Sequence, residues 1–366
     1  MAIIGIDCRL WGTKHTGIGR YTQKLVENLQ KIGDNNEYII FCRSEDYDDI
    51  GTSVGWKKVR ADIPHYTLGE QTHLVQIFLK ENLDLLHVPH FNVPIFYPKK
   101  FVITIHDILW HTKKGFDVTT LPPITYLAKY AGYRLVVKNA ANRAKAIFVP
   151  SRAVAGEVAN KFPGVKKKIH VTYEGVDSLP KSKAETKEKY LLYVGNLYPH
   201  KNVHTLVKAL SRYHVLEHGN KLVVVSGRSA FLDKFKKFLQ KESLDGFVEL
   251  KTNASDKELS ALYKNALALV FPTLSEGFGL PGLEAMMAGT PVICSDIPVL
   301  HEVYGKAALY FDPKNSQDIA DKIQKVLNDH MTRMNLVKAS KNQLKKYSWE
   351  KMAQETFDIY REVLKR

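Results

Sequence analysis

Apolar runs rich in branched residues alternate along this chain with longer stretches in which apolar residues recur at helical spacing. The runs predict strands at Ile3–Ile6, Tyr38–Phe41, Leu85–Val88, Val102–Ile105, Ala146–Val149, Tyr190–Val194, Lys221–Ser226, Phe247–Leu250, Ala268–Phe271, Pro291–Cys294 and Leu309–Phe311. The longer stretches predict helices at Gly19–Gln30, Leu121–Ala144, 203–217, 230–241, 256–266, 281–288, 316–330 and Trp349–Arg366. Because strands that alternate with helices form mainly parallel sheets covered on both faces, we expect an α/β fold with doubly wound sheets.

The elements fall into two runs, and 366 residues exceed the usual size of one core, so we expect two domains. Residues 178–189 are polar, have no periodic apolar face and are interpreted as a linker. This predicts a Rossmann-like domain over 1–177 and a second over 190–348. The last helix, 349–366, carries an apolar stripe that must be buried somewhere.

Composition excludes several classes of protein. No window approaches 18 consecutive apolar residues, so no membrane span is expected. The first residues lack the charged region and the cleavage site of a signal peptide. Cys8, Cys42 and Cys294 are spread too far apart to form a disulfide framework or a zinc pattern. These features predict a cytoplasmic protein.

The formal charge of +15 is shared between the two halves of the chain, with +7 in residues 1–180 and +8 in the rest. This even distribution argues against a nucleic-acid-binding tail, and no nucleic-acid partner is expected. Positive charge is denser in residues 99–145, which contain nine Lys or Arg and two Asp. A face with this excess of positive charge attracts anions. A peripheral contact with anionic lipid at the inner face of the membrane is therefore expected through 99–145.

The most informative segment is Phe271 to Glu284, which ends an apolar run, turns through a glycine-rich loop and opens a helix. Ligands of doubly wound sheets bind beyond the carboxyl ends of the strands, where this segment falls. Backbone amides at a helix start favour anions, and Gly277 and Gly279 let the main chain come close to a ligand. Glu276 and Glu284 add two carboxylates that can accept hydrogen bonds from hydroxyls. Amides for a phosphate and acids for hydroxyls are what a nucleotide sugar needs; the alternative is a structural turn with Glu284 as a capping acid.

Two further strand ends in the second half carry basic residues. Gly195 permits a tight turn after a strand, and Lys201 in the same loop offers an ammonium suited to a diphosphate leaving group. Arg228 follows the next strand and could assist. For both cations, the alternative is a side chain in a solvated loop that binds no ligand. This alternative carries more weight for Arg228 than for Lys201.

In the first half, Gly17 and Gly19 lie between a strand and a helix, where they would bring amides near an anion. The third glycine of the dinucleotide fingerprint is missing, so a plain turn is an equal alternative. His106 and Asp107 end an apolar strand, where a histidine can hydrogen-bond a sugar hydroxyl or relay a proton. A buried structural histidine is the alternative there.

Two other patterns are given the plainer interpretation. Glu45 to Asp49 contains the acid-x-acid pattern Asp46/Asp48 that could hold a cation, but its charged surroundings favour a solvated loop, and no metal site is predicted. A helical stripe of Tyr126, Tyr130, Tyr133 and Val137 with basic neighbours fits either a membrane interface or, more often, burial.

Taken together, these segments resemble the retaining glycosyltransferases of family GT4, which have two Rossmann-like domains facing a central cleft (the GT-B fold). The segment Glu276 to Glu284 matches the family's E-x7-E motif and continues into Ala285–Ser295. Further matching segments are Val194–Asn202, Leu259–Ala266, His301–Pro313, Gly17–Tyr21, Ile105–Asp107 and Tyr173–Asp177. The resemblance covers nearly the whole chain and is most specific over 190–313.

The resemblance implies transfer of a mannose- or glucose-type hexose from a nucleoside-diphosphate sugar to a saccharide or lipid-linked saccharide, as in surface polysaccharide synthesis, without a metal or other cofactor. The first domain would bind the acceptor and the second the donor, and the last helix would pack back on the first domain.

The resemblance also assigns roles to individual residues. It implies catalytic roles for His106, Lys201 and Glu276, donor contacts for Gly17, Gly19, Gly195, Asn196, Arg228, Phe278, Gly279, Leu280 and Glu284, and acceptor-side positions for Asp107, Arg20 and Tyr21. Many relatives have arginine where this chain has Asn196, and Arg228 could compensate for the missing charge.

Two other functions agree less well with the sequence. A non-catalytic protein that binds nucleotides or anionic surfaces on the same fold would not need the intact set of Lys201, Glu276 and Glu284. An NAD-dependent oxidoreductase is disfavoured by the incomplete glycine fingerprint and by Asp34, which lies in a polar loop instead of at a strand end.

Overall fold

A computed structural model describes residues 1–109, 122–178, 180, 190–215, 221–227, 231–252 and 254–366. These residues form two compact units. The first contains the described residues of 1–109, 122–175 and 348–366, and the second contains those of 176–347.

The first unit is built on a parallel sheet of seven strands in the order β3-β2-β1-β4-β5-β6-β7. The strands are β1 Ile3–Asp7, β2 Glu37–Cys42, β3 Trp56–Arg60, β4 Leu85–Val88, β5 Phe101–Thr104, β6 Ile147–Val149 and β7 Ile169–Val171. The helices that connect them are α1 Thr16–Leu29, α2 Leu68–Gln71, α3 His73–Lys80, α4 Pro123–Arg143 and α5 Arg152–Lys161. The strand order reverses at β1, because β2 pairs on one side of β1 and β4 pairs on the other side. Ligands of such sheets bind at this switch point.

The second unit repeats the pattern with six parallel strands in the order β10-β9-β8-β11-β12-β13. The strands are β8 Tyr190–Val194, β9 Lys221–Ser226, β10 Val248–Thr252, β11 Ala268–Phe271, β12 Val292–Ser295 and β13 Ala308–Phe311. The helices are α6 Val203–Arg212, α7 Leu232–Lys241, α8 Asp256–Asn265, α9 Leu280–Met287, α10 Pro298–Tyr304, α11 Ser316–Asn328 and α12 His330–Leu344. Its switch point lies between β8 and β11, at the loops that follow Val194 and Phe271.

The last helix, α13 Trp349–Lys365, belongs to the first unit and packs on α1. Its apolar stripe is buried, including Trp349, Met352 and Tyr360. Gly175 gives the helix room to start, because a Cβ there would lie 2.2 Å from the backbone nitrogen of Trp349. The hydroxyl of Tyr360 bonds Nδ1 of His87 on β4, so the helix is tied to the centre of the sheet.

The prediction of two doubly wound parallel sheets is confirmed, and all eleven predicted strands are present within a residue or two of their expected ends. Strands β3 and β7 were missed. Strand β3 reads Trp-Lys-Lys-Val-Arg and lies at a sheet edge, where polar residues are tolerated, and β7 has only three residues. Helices α2, α3, α5, α10 and α12 were missed as well, and the helix expected to reach residue 217 ends at Arg212.

The aromatic stripe of α4 faces inward. Tyr126 and Val137 are buried, and Tyr130 and Tyr133 are half-buried. The plainer interpretation of this stripe is therefore confirmed. No helix in the part of the chain that the structure describes is both long and apolar enough to cross a bilayer.

Candidate active site

A backbone hydrogen bond joins two loops at the switch point of the second unit. The backbone N–H of Leu274, in the loop after β11, donates to the carbonyl of His200, in the loop after β8, at 2.7 Å. Asn202 ends the second of these loops in the left-handed region at φ 59°, which asparagine tolerates better than most residues, and its Nδ2 donates to the carbonyl of Pro313 at 2.8 Å. These bonds fix the position of Lys201, which lies between His200 and Asn202.

Lys201 and Glu276 form an ion pair across these two loops. Nζ of Lys201 donates to Oε2 of Glu276 at 2.5 Å, and the two side chains are 12% and 17% exposed. The same ammonium lies 5.8 Å from the centre of the Phe271 ring. Two residues predicted to act on one donor are thus brought together, partly shielded from water but still accessible.

The buried tyrosines Tyr193 and Tyr304 lie within electrostatic range of the Glu276 carboxylate. Burial raises the pKa of the Tyr193 hydroxyl well above its usual value, and the negative charge of Glu276 raises it further. The hydroxyl of Tyr193 donates to the carbonyl of Asn196 at 2.6 Å, and a Cβ at Gly195 would lie 2.9 Å from that same hydroxyl. Gly195 is therefore needed for the close packing of the turn on Tyr193. Oδ1 of Asn196 accepts from the backbone N–H of Tyr198 at 3.3 Å and stabilises the loop.

The glycines at the start of α9 pack on one tyrosine. Gly279 caps the helix at φ 96°, and its carbonyl accepts from the hydroxyl of Tyr304 at 2.5 Å. A Cβ at Gly279 would lie 2.5 Å from that hydroxyl, and one at Gly282 would lie 2.2 Å from the Tyr304 ring. The space at Gly279, expected to serve the approach of a ligand, is thus occupied by Tyr304. The side chain of Phe278 is 3% exposed and packs edge-on against Tyr347, so Phe278 and the half-buried Leu280 would offer a ligand their backbone amides.

Glu284 lies one turn into α9 and is 6% exposed. Its Oε2 accepts from the hydroxyl of Tyr263 on α8 at 2.7 Å. This hydrogen bond fixes one oxygen of the carboxylate at the ligand end of the sheet. Glu284 could be identified from the sequence, but Tyr263 could not. Tyr263 lies on the apolar stripe of its helix, and this position indicated only a core residue. Arg228 lies outside the described residues.

In the first unit, His106 is held between two oxygen atoms. Its Nε2 lies 3.1 Å from the carbonyl of Pro89, and its Nδ1 lies 3.4 Å from Oε1 of Glu174. The side chains of His106 and Glu174 are 11% and 6% exposed. A carbonyl oxygen only accepts, so Nε2 carries a hydrogen. Glu174 was seen in the sequence as part of a family segment, but its partner could not be identified because the two residues lie on different loops.

The remaining first-unit candidates occupy different environments. Tyr21 is 1% exposed, its hydroxyl is 3.1 Å from Oγ1 of Thr104, and its ring packs edge-on against His106 with centroids 4.8 Å apart. Tyr21 therefore orients His106 and is too buried to be a surface for an acceptor. Asp107 accepts from the backbone N–H of Leu109 at 3.0 Å. The half-buried Arg20 lies one residue before Tyr21 on α1.

The two glycines of α1 differ in what surrounds them. A Cβ at Gly19 would lie 2.0 Å from the carbonyl oxygen of Gly12, so Gly19 serves the packing of its own turn. A Cβ at Gly17 would meet no atom within 4 Å, which leaves the backbone there open to approach. Both glycines lie in the first turn of α1, which begins three residues earlier than predicted.

One gathering of three potential metal ligands occurs among the described residues, formed by His15, Glu45 and Asp46. The ammonium of Lys14 lies 2.9 Å from Oε1 of Glu45 and 2.6 Å from Oδ1 of Asp46. The Lys14 ammonium therefore already bonds both carboxylates.

Comparison with known proteins gives this arrangement a family. Residues 177–343 match the family described as glycosyl transferases group 1, and residues 15–178 match glycosyltransferase family 4. The chain is 28% identical over 359 residues to the O-antigen chain mannosyltransferase RfbU of Salmonella typhimurium, covering 94% of this chain and 95% of the relative.

Solved structures share the fold along the whole chain. Sucrose-phosphate synthase from Thermosynechococcus elongatus superposes with a TM-score of 0.79 at 21% identity, over 99% of both chains. HepE of Anabaena, in complex with UDP and glucose, superposes with a TM-score of 0.75 at 15% identity, over 99% of this chain and 100% of the other. The chain therefore belongs to the glycosyltransferases of the family 4 type, and its two Rossmann-like units are those of the GT-B fold.

Proposed function

We propose that this glycosyltransferase is a retaining hexosyltransferase that moves a mannose- or glucose-type sugar from a nucleoside diphosphate to a saccharide or lipid-linked saccharide of a surface polysaccharide. The observation that carries the proposal is the Lys201–Glu276 ion pair at the switch point of the second unit. The similarity to an O-antigen chain mannosyltransferase along nearly the whole chain favours mannose as the sugar.

The ion pair suits a donor that carries both negative charge and hydroxyls. A diphosphate brings negative charge to Lys201, whose ammonium then exchanges the Glu276 carboxylate for a phosphate oxygen. Glu276 is released to accept hydrogen bonds from the hydroxyls of the sugar. A hydrogen bond to a charged group contributes about 1.5–3 kcal/mol, and the partial burial of both side chains limits competition from water.

The rest of the donor has partners on α8 and α9. Glu284, fixed by Tyr263, accepts hydrogen bonds from the ribose hydroxyls. The backbone amides at the start of α9, around Phe278–Leu280, face the phosphates, where the helix dipole favours negative charge. Asn196 contributes its side-chain amide where many relatives place an arginine.

The reaction we propose proceeds on one face of the sugar. The bond between the anomeric carbon and the diphosphate oxygen breaks, and its electron pair leaves with the diphosphate. The acceptor oxygen bonds the anomeric carbon from the same side, and its proton passes to the departing phosphate oxygen. Lys201 stabilises the negative charge that grows on the leaving group, which lowers the barrier as well as strengthening binding.

We propose that this step needs no metal ion. Lys201 supplies the positive charge that a divalent cation provides to diphosphates in metal-dependent transferases. The His15, Glu45 and Asp46 cluster lies in the first unit and is held by Lys14. Turnover that is unchanged after chelation with EDTA is the expected result, and loss of turnover that added Mg²⁺ or Mn²⁺ restores would contradict it.

In the first unit, we propose that His106 contacts the reacting sugar and that Glu174 positions it. The Pro89 carbonyl beside Nε2 and the Glu174 carboxylate beside Nδ1 place an oxygen atom next to each ring nitrogen. These two contacts hold the ring in one orientation.

A membrane contact of the first unit is supported by exposed apolar residues on α4. Ile124, Leu127 and Leu135 are 84%, 56% and 61% exposed, and their spacing of three and eight residues places them on one face of the helix. Arg134 and Lys138 are exposed beside this face. We propose that this surface rests on anionic lipid, which would bring a lipid-linked acceptor to the enzyme.

The membrane contact can be tested by sedimentation with vesicles. Vesicles of phosphatidylglycerol and phosphatidylcholine should carry the protein down, and the double variant Leu127→Ser/Leu135→Ser should bind them several-fold less. Val54→Ser, at an exposed position on another loop of the first unit, is the control. Equal binding of all three proteins would exclude α4 as the contact.

The proposed reaction is tested by the configuration of the released sugar. Incubation with the UDP, GDP and ADP derivatives of α-mannose and α-glucose, without acceptor, allows slow transfer to water. Proton NMR in the first minutes should then show the α-anomer of the free hexose together with nucleoside diphosphate. Release of the β-anomer would indicate inversion, and binding of a donor with no release of diphosphate would favour a non-catalytic protein.

A further inference from the structure

Tyr66 in the first unit has an unusual backbone conformation. It lies in the loop between β3 and α2 at φ 61°, in the left-handed region that aromatic side chains rarely adopt. Its residue exposure is 57%, so the ring is not held in this conformation by burial in a core. A bulky residue in a strained conformation at the edge of a ligand-binding sheet points to a requirement of function.

A buried ionic network holds this loop. The backbone N–H of Tyr66 donates to Oε2 of Glu70 at 2.6 Å, and Glu70 is 1% exposed. Oε1 of Glu70 accepts from the guanidinium of Arg9 at 2.9 Å. Arg9 is fully buried and also bonds Asp7 at 2.8 Å, at the carboxyl end of β1. Burying three charges is costly unless each of them is well bonded. The hydrogen bonds of this network satisfy the three charges and fix the backbone of Tyr66 at the end of the sheet.

A buried histidine next to Tyr66 has an unused hydrogen-bonding atom. His90, just after β4, is 7% exposed, and its Nδ1 has no partner. The rings of Tyr66 and His90 lie 6.3 Å apart in an edge-to-face arrangement. His90 also lines a cavity of about 10 Å³, whose wall combines polar residues, among them Asp7, His65 and Asn92, with the apolar residues Leu10, Val88 and Pro89. A cavity of that size is just large enough for one oxygen atom, from a water molecule or from a hydroxyl of a ligand.

The surroundings of Tyr66 suit a carbohydrate better than a purely apolar ligand. Desolvation of the hydroxyl raises the pKa of Tyr66, and the carboxylates of Glu70 and Asp107 raise it further, so both carboxylates lie within electrostatic range of that hydroxyl. Asn92 is buried beside Glu70 and donates to its Oε2 at 2.6 Å. An aromatic face next to carboxylate and imidazole groups matches a pyranose, which has an apolar C–H face and a rim of hydroxyls.

We propose that Tyr66 and His90 form a subsite for one sugar ring of the acceptor. The ring of Tyr66 stacks on the C–H face of a pyranose, and Nδ1 of His90 bonds one hydroxyl that enters the small cavity. This subsite rests on the proposed function, since it binds the saccharide to which the hexose is transferred. Tyr66 and His90 bind the acceptor and take no part in breaking the donor bond.

The test measures binding of simple sugars to three variants of the full chain. The probes are the methyl glycosides of mannose, glucose, galactose and N-acetylglucosamine, observed by saturation-transfer NMR and then titrated. Tyr66→Asn suits the left-handed backbone but removes the ring, Tyr66→Phe keeps the ring, and Leu68→Ala changes an exposed neighbour in the same segment. We expect at least one glycoside to bind, with a Kd at least tenfold higher in Tyr66→Asn and within twofold of the wild type in the other two variants.

A second measurement on the same samples separates this inference from the proposed function. Binding of UDP, GDP and ADP reports on the donor site and should be the same in all variants. If a diphosphate binds but no glycoside does, or if Tyr66→Asn binds the glycoside like the wild type, the subsite is overturned and the proposed function stands. If neither a diphosphate nor a glycoside binds, both fall.

Discussion

Nζ of Lys201 lies 2.5 Å from Oε2 of Glu276, although the two residues are 75 positions apart in the chain. Each follows a different strand of the second sheet, and the backbone bond from Leu274 to His200 joins their loops. The ion pair is therefore a property of the folded loops. In the proposed function, it supplies a positive charge for the leaving group and a carboxylate for the sugar hydroxyls at one point.

Removal of the ammonium should reduce turnover far more than it changes folding. We expect Lys201→Ala to lower the rate of diphosphate release by about 100- to 1000-fold, as is typical when one stabilising contact to developing charge is lost. Lys208→Ala is the matched control, since Lys208 lies on α6 and its ammonium is 3.9 Å from the Glu242 carboxylate. Equal activity of the two variants, with both folded by circular dichroism, would refute the role of Lys201.

The Tyr263 hydroxyl should affect the binding of the nucleotide through Glu284. We expect Tyr263→Phe to weaken nucleoside-diphosphate binding by about 1 kcal/mol, or roughly fivefold, because the carboxylate loses the hydrogen bond from the Tyr263 hydroxyl. Tyr190→Phe also removes a tyrosine hydroxyl bond, to the carbonyl of Leu262 at 2.7 Å, without touching Glu284. Titration calorimetry should separate the two, and equal affinities would show that Tyr263 does not act through Glu284.

The glycine at position 282 should be required for packing. A Cβ there would lie 2.2 Å from the Tyr304 ring, so we expect Gly282→Ala to lower the free energy of unfolding by about 1–3 kcal/mol. Gly156→Ala, in helix α5 with no atom within 4 Å of the added Cβ, should instead stabilise by about 0.4–1 kcal/mol. Thermal unfolding measures both. A stabilising effect of Gly282→Ala would contradict the packing described here.

His87 should make the stability of the first unit depend on pH. Burial, with a contribution from His106, lowers the pKa of His87 from 6.5 to about 3. Below pH 6.5 the unfolded chain binds a proton that folded His87 does not, so stability falls as the pH falls from 6.5 towards 3. At pH 5 the loss is about 2 kcal/mol.

The variant His87→Gln cannot take up that proton. We expect its free energy of unfolding to decrease less between pH 7.5 and pH 5 than that of the wild type, by about 2 kcal/mol. Denaturant titrations at the two pH values provide the comparison. The same decrease in both proteins would show that His87 is not the group responsible.

Glu174 should act on the reaction only through His106. Glu174→Gln keeps the shape but removes the charge that pairs with the histidine ring. We expect a lower kcat and a shifted pH profile, with nucleoside-diphosphate affinity unchanged, because Lys201 and Glu284, the residues proposed to hold the diphosphate and the ribose, lie in the second unit. An unaltered pH profile would mean that Glu174 has only a structural role.

The strands of both sheets could be predicted from the sequence because parallel strands are buried on both faces and form short, continuous apolar runs. Strands β3 and β7 lie at the two opposite edges of the first sheet, where one side of each strand is unpaired. Their sequences do not form a continuous apolar run of this kind. Helix α12 has little amphipathic pattern over its fifteen residues, so nothing in its sequence marked it.

Lys201, Glu276 and Glu284 could be selected as donor-site candidates from their positions after strands, because the carboxyl ends of parallel strands meet at one edge. Their partners could not. Tyr263 reaches Glu284 from another helix, and Glu174 reaches His106 from another loop, so these contacts depend on how the elements pack. Tyr304 fills the space beside Gly279 for the same reason.

The central claim is that the second unit holds the diphosphate of a sugar donor through Lys201. Calorimetric titration of UDP, GDP and ADP into the wild type and Lys201→Ala tests it most directly. We predict that at least one diphosphate binds the wild type and binds the variant at least tenfold more weakly, in line with the loss of about 1.5–3 kcal/mol from one charged hydrogen bond. Equal affinity for the two proteins, or no binding of any diphosphate to the wild type, would contradict the account.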